Sequence, residues 1–317
     1  MHELEYLICH GSSNRFVLID AVRWADALAG VDRSALARHA CRICGGLDGL
    51  LLLVPAGTEY GMQMFNPDGS PAEMCGNGIR CVARLAQRYT TAERFGLWSG
   101  GRRYDVSCEQ PLHGAIPTYG VVIPVGLVSD DFRISFDPGT GFVAEAIPEL
   151  DEQLRFTYLH LGNPHLVAST GEIDLERLEW LGRCVTELRE LFPHGINVSL
   201  YRPLDERRIF AATYERGAGI TSSCGTAMTA CTTAACLTGL CRCGEPIVVR
   251  NRGGEVRCLC RNDAGGLRTT LVGNATFEAD GIFRIDPSTG RVNLCGEPAP
   301  RRDEIAAYAA FIDSITD

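Results

Sequence analysis

The chain has 317 residues, 45% of them hydrophobic and 22% charged, with a formal net charge of −9. That length admits two ordinary domains or one large one, and the composition excludes a disordered or fibrous chain. The acidic balance argues against general attraction to nucleic acid or to an anionic membrane surface and favours a small-molecule ligand.

No 18-residue uncharged apolar run is present, and the start "MHELEYLICHGSSNRF" lacks the basic segment and apolar core of a signal peptide, so a cytoplasmic chain without a membrane partner is expected. Fifteen cysteines, an odd number, fit reduced thiols better than a disulfide framework. Cys41/Cys44, Cys241/Cys243 and Cys258/Cys260 have spacings that could hold zinc. However, the first pair lies in a helical pattern and "VRCLC" alternates like a strand, so these read as buried or incidental thiols and no metal is expected.

The elements open with "LEYLICHGSSNRFVLID", a strand, a turn and a strand in which the glycine and Asn14 take the turn dihedrals. A helix is predicted from Ser34 as N-cap, then a buried strand at "LDGLLLLVP" and a strand ending in a Pro-Asp-Gly turn at "YGMQMFNPDGS". From Glu73 the chain enters "EMCGNGIRCVARL", a cysteine and a glycine turn opening a helix with Ile79, Val82, Ala83 and Ala86 on one face. "RYDVSCE" and "YGVVIPV" read as strands, and a domain crossover is expected near Pro124.

The second half repeats this order. "TYLHLGNPHLVAS" is strand and turn, "DLERLEWLGRCVTELREL" a helix, "GINVSLY" a strand, and "IFAATYERGAGITSSCGT" a strand leading to a second Cys-Gly turn. A helix follows from about Thr226, with Ala227, Ala230, Cys231 and Ala234 on one face. Two similar halves predict a pseudo-twofold pair of α/β domains facing each other.

A thiol at a helix N-terminus meets the positive end of the macrodipole and unsatisfied N–H groups, which favour thiolate and make Cys75 and Cys224 usable bases. The same N–H groups, at Gly76-Asn77 and Gly225-Thr226, suit a carboxylate. One thiolate could then take an α-proton while the other thiol protonates the far face, inverting the carbon. No pyridoxal-phosphate lysine motif or dinucleotide fingerprint stands out, and no cofactor is required.

"FNPDGSPAEMCGNGIRCVAR", "LGNPH", "INVSLY" and "YERGAGITSSCGTA", in this order, resemble diaminopimelate epimerase, and "HGSSNRFVLID" is similar to that family's N-terminal "HGxGNDF". The resemblance spans roughly residues 5 to 283. It implies an α/β fold of two pseudo-symmetric domains, each a curved, mostly antiparallel sheet around a central helix, with the active site in the cleft between them. The domains implied are 1–123 with 273–283, then 124–272, with 284–317 as an appended amphipathic helix or tail. Cys75 and Cys224 would be the acid–base pair, without pyridoxal phosphate, in lysine and cell-wall precursor synthesis.

The resemblance also puts Asn14, Asn66, Asn163, Asn197, Glu215 and Arg216 in that cleft, and His165 near the thiols, where it could assist proton transfer. Arg216 suits a distal carboxylate and Glu215 an ammonium group. The partner implied is a small-molecule amino acid, with a homodimer allowed. Departures from the family pattern are Ser13 for Gly, Arg15 for Asp, Gly49 for Gln, Ile220 for Glu and Ala227 for Gly. They leave two alternatives: a racemase or epimerase of another amino acid such as histidine, and a non-catalytic amino-acid-binding protein.

Overall fold

A computed structural model describes residues 2–315. The chain divides into two compact units: the first runs to Val121 and resumes at Val272, and the second spans Val122–Leu271.

In the first unit, β1 (His2–Gly11), β2 (Asn14–Asp20), α1 (Arg33–Ile43), β3 (Gly49–Ala56), β4 (Glu59–Phe65), β5 (Pro71–Ala72), α2 (Gly76–Ala86), β6 (Arg94–Ser99) and β7 (Arg102–Glu109) follow in order. The first division of the chain falls within β8 (Thr118–Pro124). The second unit contains β9 (Glu145–Ile147), β10 (Asp151–His160), β11 (Pro164–Ser169), α3 (Leu175–Glu187), β12 (Asn197–Asp205), β13 (Arg208–Glu215), β14 (Gly219–Thr221), α4 (Gly225–Leu237), β15 (Pro246–Asn251) and β16 (Gly254–Asp263). The second division falls within β17 (Gly266–Asn274), after which β18 (Thr276–Asp286), β19 (Arg291–Leu294), β20 (Ala299–Pro300) and α5 (Arg302–Ile315) complete the first unit.

The pairing is duplicated step for step. β1 and β2 are antiparallel, β2 and β3 parallel, β3 and β4 antiparallel, β4 and β6 parallel, and β6 and β7 antiparallel. β10, β11, β12, β13, β15 and β16 repeat that series with the same directions. Each parallel step requires a crossover, and α1 and α3 supply the equivalent one in each unit.

The two remaining helices are central to their units. α2 packs against β1, β2, β3, β4 and β7, and α4 against β11, β12, β13, β15 and β16. Every residue from Gly225 to Ala235 is buried, which explains why α4 is made of Ala, Thr, Cys and Met: small side chains let a sheet approach on several sides. α1 covers the other face of its sheet through Leu36, Ala37, Ala40 and Cys41, packed with Val17, Ile19, Leu50 and Phe283. Cys41 therefore serves as a core hydrophobe.

Two local expectations are corrected. The N-cap of α1 is Asp32, whose carboxylate accepts from the N–H of Ser34 and of Ala35, so Ser34 lies inside the first turn. In the β1–β2 hairpin the left-handed residues are Ser12 (φ 52°) and Ser13 (φ 63°), rather than Gly11 and Asn14. Gly11 is needed for a different reason: a Cβ there would lie 2.8 Å from both the Arg80 guanidinium and the Asn77 carbonyl oxygen.

The segment beyond residue 284 is part of the first unit. β19 and β20 pair with β18, and α5 buries Tyr308 and Phe311 against Ile116. Residues 316 and 317 of the expected extension lie outside the described residues. Among the described residues, no helix is long and apolar enough to cross a membrane.

Candidate active site

Cys75 and Cys224 are the N-caps of the two central helices, in matching extended geometry (φ −139°, ψ 111° and φ −124°, ψ 112°). An extended N-cap leaves the first N–H groups of the helix unsatisfied and directed past the thiol. Gly76-Asn77 and Gly225-Thr226 thus occupy equivalent first turns.

In the first unit the Cys75 sulfur accepts from the Gly78 N–H at 3.3 Å, and its thiol lies 3.8 Å from Asn14 Oδ1. That oxygen also accepts from Asn77 Nδ2 at 3.4 Å, while Asn14 Nδ2 donates to Asp48 at 2.9 Å. Asn14 is therefore oriented by Asp48 and aimed at the thiol. Asn77 is buried, and among the described residues its Oδ1 has no donor. Asn66 is tied to the Pro-Asp-Gly turn through Ser70, which accepts from its Nδ2 and its backbone N–H.

Residues not singled out from the sequence hold this half together. Arg80 is wholly buried and donates to the Gly76 carbonyl, Ser12 Oγ and the Asn274 carbonyl, joining the mouth of α2 to the strained hairpin. Asn274 Oδ1 accepts from the Ser12 N–H at 2.7 Å, and His10 Nδ1 from the Ser13 N–H at 3.2 Å. These bonds compensate two serines in the left-handed region. The sequence signal was an arginine inside an apolar helical run. A Cβ at Gly49 would meet the Phe65 carbonyl oxygen at 2.8 Å, so a glutamine there needs a different strand spacing.

In the second unit the Cys224 sulfur lies 3.5 Å from the Thr226 hydroxyl, and Thr226 accepts from Asn163 Nδ2 at 3.3 Å. Asn163 Oδ1 in turn faces His165 Nε2 at 3.0 Å. The carbonyl can only accept, so His165 carries its proton on Nε2, and its buried Nδ1 has no partner among the described residues. Burial lowers the imidazole to about 3, helped by His160 and Arg216. A neutral ring bonded to Asn163 orients that amide.

Burial is also the largest influence on Cys224 and pushes its thiol well above the ordinary range, with the Glu215 carboxylate adding to this. The Thr226 hydroxyl and the Ala227 N–H pull the other way. The expected lowering by the helix end is thus overridden at Cys224, which is 8% exposed: desolvating the sulfur outweighs a partial positive charge. Glu215 ends β13 and accepts from Thr221 Oγ1.

Asn197, buried at the start of β12, accepts from the Arg216 N–H at 2.9 Å, and its strand neighbour in register is His165. The Arg216 side chain is exposed, with Nη1 donating to the His194 carbonyl at 2.6 Å. The duplicated strands give Asn14 and Asn163 corresponding places, and likewise Asn66 and Arg216, each just beyond the end of β4 or β13.

The residues thus fall into two sets, Cys75 with Asn14, Asn66, Gly76 and Asn77, and Cys224 with Asn163, His165, Asn197, Glu215, Arg216, Gly225 and Thr226. A family model described as diaminopimelate epimerase matches residues 6–104 and 157–278. The chain is 34% identical over 289 residues to a diaminopimelate epimerase of Clostridium acetobutylicum, covering 90% of this chain and 86% of that one. It is 32% identical over 335 residues to one of Listeria monocytogenes, covering 100% and 98%. Among solved structures, a hydroxyproline epimerase from Agrobacterium vitis has a TM-score of 0.64 at 13% identity, covering 92% of this chain and 94% of that one. A PhzF-family phenazine biosynthesis protein from Bacillus anthracis has a TM-score of 0.65 at 12% identity, covering 90% and 100%. The two structures share the fold of this chain, two α/β halves rich in sheet.

Proposed function

The chain belongs to the diaminopimelate epimerase family and is an isomerase of the epimerase and racemase type, and we propose that it converts LL-diaminopimelate to meso-diaminopimelate without a cofactor. The reaction would supply lysine and peptidoglycan precursors. The observation that carries this reading is the duplicated cysteine cap, one thiol at the mouth of each central helix in the same backbone geometry.

In this reading Cys75 and Cys224 serve opposite faces of one α-carbon. Cys224, held as a thiol by burial and by Glu215, donates the proton in one direction. Cys75, steadied by the Gly78 N–H and Asn14, removes the α-proton in that direction, and the roles exchange in reverse. The N–H groups of Gly76, Asn77, Gly225 and Thr226 take the reacting carboxylate and the charge that develops on it. As Cys224 loses its proton, the Thr226 hydroxyl turns its hydrogen to the sulfur, since its lone pair already accepts from Asn163. His165 is a positioning residue for Asn163.

The rest of the shell selects the substrate. Arg216 pairs with the distal carboxylate, Glu215 accepts from an ammonium group, and Asn66, Asn163 and Asn197 complete the polar contacts. Incubation of the purified protein with single amino acids in deuterated water tests this. Exchange of the α-hydrogen of LL- and meso-diaminopimelate, with none from histidine, is expected. Exchange from histidine with diaminopimelate untouched would transfer the activity to another amino acid, and no exchange from any amino acid would leave a binding protein.

A further inference from the structure

Cys236, Cys243 and Cys260 carry no role in the epimerase reading, yet the fold of the second unit gathers them. Cys236 lies in the last turn of α4, Cys243 in the connection to β15, and Cys260 in β16. The Cys243 thiol donates to the Cys260 carbonyl at 3.4 Å and the Gly244 N–H to the same oxygen at 2.9 Å. Two backbones joined this closely bring their Cβ atoms within reach of a disulfide. Cys243 is exposed, whereas Cys260 is buried.

The Cys260 sulfur lies among polar groups. The Cys236 thiol, the Thr269 hydroxyl, the Cys243 thiol and the Thr233 hydroxyl lie against it and hold it below its ordinary value, against burial. The two hydroxyls are themselves 2.8 Å apart, so the cradle is fixed by α4 and β17. A buried thiol beside a solvent-facing thiol forms a pair with an accessible first site and a resolving second one. Among the described residues, no three His, Cys, Asp or Glu side chains converge as a metal would need.

We propose that Cys243 and Cys260 form a peroxide-reactive dithiol, a modification site separate from Cys224 and closing to a Cys243–Cys260 disulfide. Hydrogen peroxide is the oxidant. Cys243 gives its proton to solvent and attacks one peroxide oxygen, the O–O bond breaks, and hydroxide leaves a sulfenic acid on Cys243. The Cys260 thiolate then attacks the Cys243 sulfur, the S–O bond breaks, and hydroxide departs to be protonated to water. Two thiols and one peroxide give one disulfide and two waters, and a dithiol reductant reverses the change. Thr233, beside Cys260, stands nine residues along α4 from its N-cap Cys224, a separation of about 14 Å along the helix.

The test exposes the full-length protein to hydrogen peroxide, blocks remaining thiols with N-ethylmaleimide and digests it with trypsin without reduction. A linked pair of peptides 243–250 and 258–261, joined through Cys260, is expected, with N-ethylmaleimide capture at Cys243 falling about tenfold and returning after dithiothreitol. Cys243→Ser, a change at an exposed position, should leave the fold intact and abolish the linkage. A Cys236–Cys260 link in its place, or Cys243 carried to sulfinic acid with Cys260 still captured by maleimide, would overturn the proposal.

Discussion

The Thr226 hydroxyl stands 3.5 Å from the Cys224 sulfur and accepts a hydrogen bond from Asn163, so its own proton is directed at the thiol whenever that thiol becomes a thiolate. Thr226→Val removes this donor while keeping the shape. A hydrogen bond to a charged group is worth about 1.5–3 kcal/mol, so kcat should fall about ten- to hundredfold with little change in KM. Thr226→Ser should recover most of the loss. Steady-state kinetics in both directions check this, and a Thr226→Val enzyme with normal kcat would remove Thr226 from the mechanism.

Arg216 is exposed and steadied by the His194 carbonyl, which leaves its remaining guanidinium N–H groups for an anion. Arg216→Met should lower kcat/KM for diaminopimelate about ten- to hundredfold, since a hydrogen bond to a charged group is worth about 1.5–3 kcal/mol. An amino acid without a distal carboxylate should be far less affected. Equal losses for both kinds of substrate would contradict the assignment.

The buried imidazoles make the fold sensitive to acid. Burial lowers both His10 and His165 to about 3 from an ordinary 6.5. Between those values the unfolded chain binds protons that the native one does not, so stability is full above pH 6.5 and declines as pH falls. Each histidine contributes at most about 1.4 kcal/mol per pH unit in that window. Urea midpoints at pH 7.5, 6 and 5 should fall in sequence, and His165→Gln should flatten the slope by about one proton. A midpoint independent of pH over this range would refute the buried neutral state.

α5 is fastened to α2 by Arg84 and Glu304, with the second contact of the pair at 2.9 Å and the Phe277 N–H donating to the same carboxylate at 3.0 Å. Burial would raise the Glu304 carboxyl, but Arg84 and the Phe277 N–H hold it below its ordinary value. Glu304→Gln should destabilise the first unit by about 2 kcal/mol, because Arg84 is left partly buried with a weaker partner. Differential scanning calorimetry reads this as a lower first transition, and an unchanged thermogram would show the helix to be incidental.

Much of the frame was legible because the same order of apolar strands and helices occurs twice, each time ending in Cys-Gly before a buried helix. The positions of Cys75 and Cys224 follow from that local pattern. The hairpin dihedrals did not follow, because serine avoids positive φ on its own and is held there by Asn274, 262 residues away from Ser12. The burial that raises the Cys224 thiol was hidden for a similar reason: the helix end is a local feature, but burial belongs to the whole unit. Arg80 and the Cys236–Cys243–Cys260 group were hidden because their partners lie on distant strands.

The most direct test of the two-thiol account is the fate of the α-hydrogen in the first turnover of LL-diaminopimelate in deuterated water. With one thiol on each face, newly formed meso-diaminopimelate should carry solvent deuterium at the inverted carbon while the remaining LL substrate carries none. Cys75→Ala and Cys224→Ala should each abolish inversion with the fold retained. Protium returned to the product, or inversion at near-normal rate in either variant, would mean that one base serves both faces and would contradict the account.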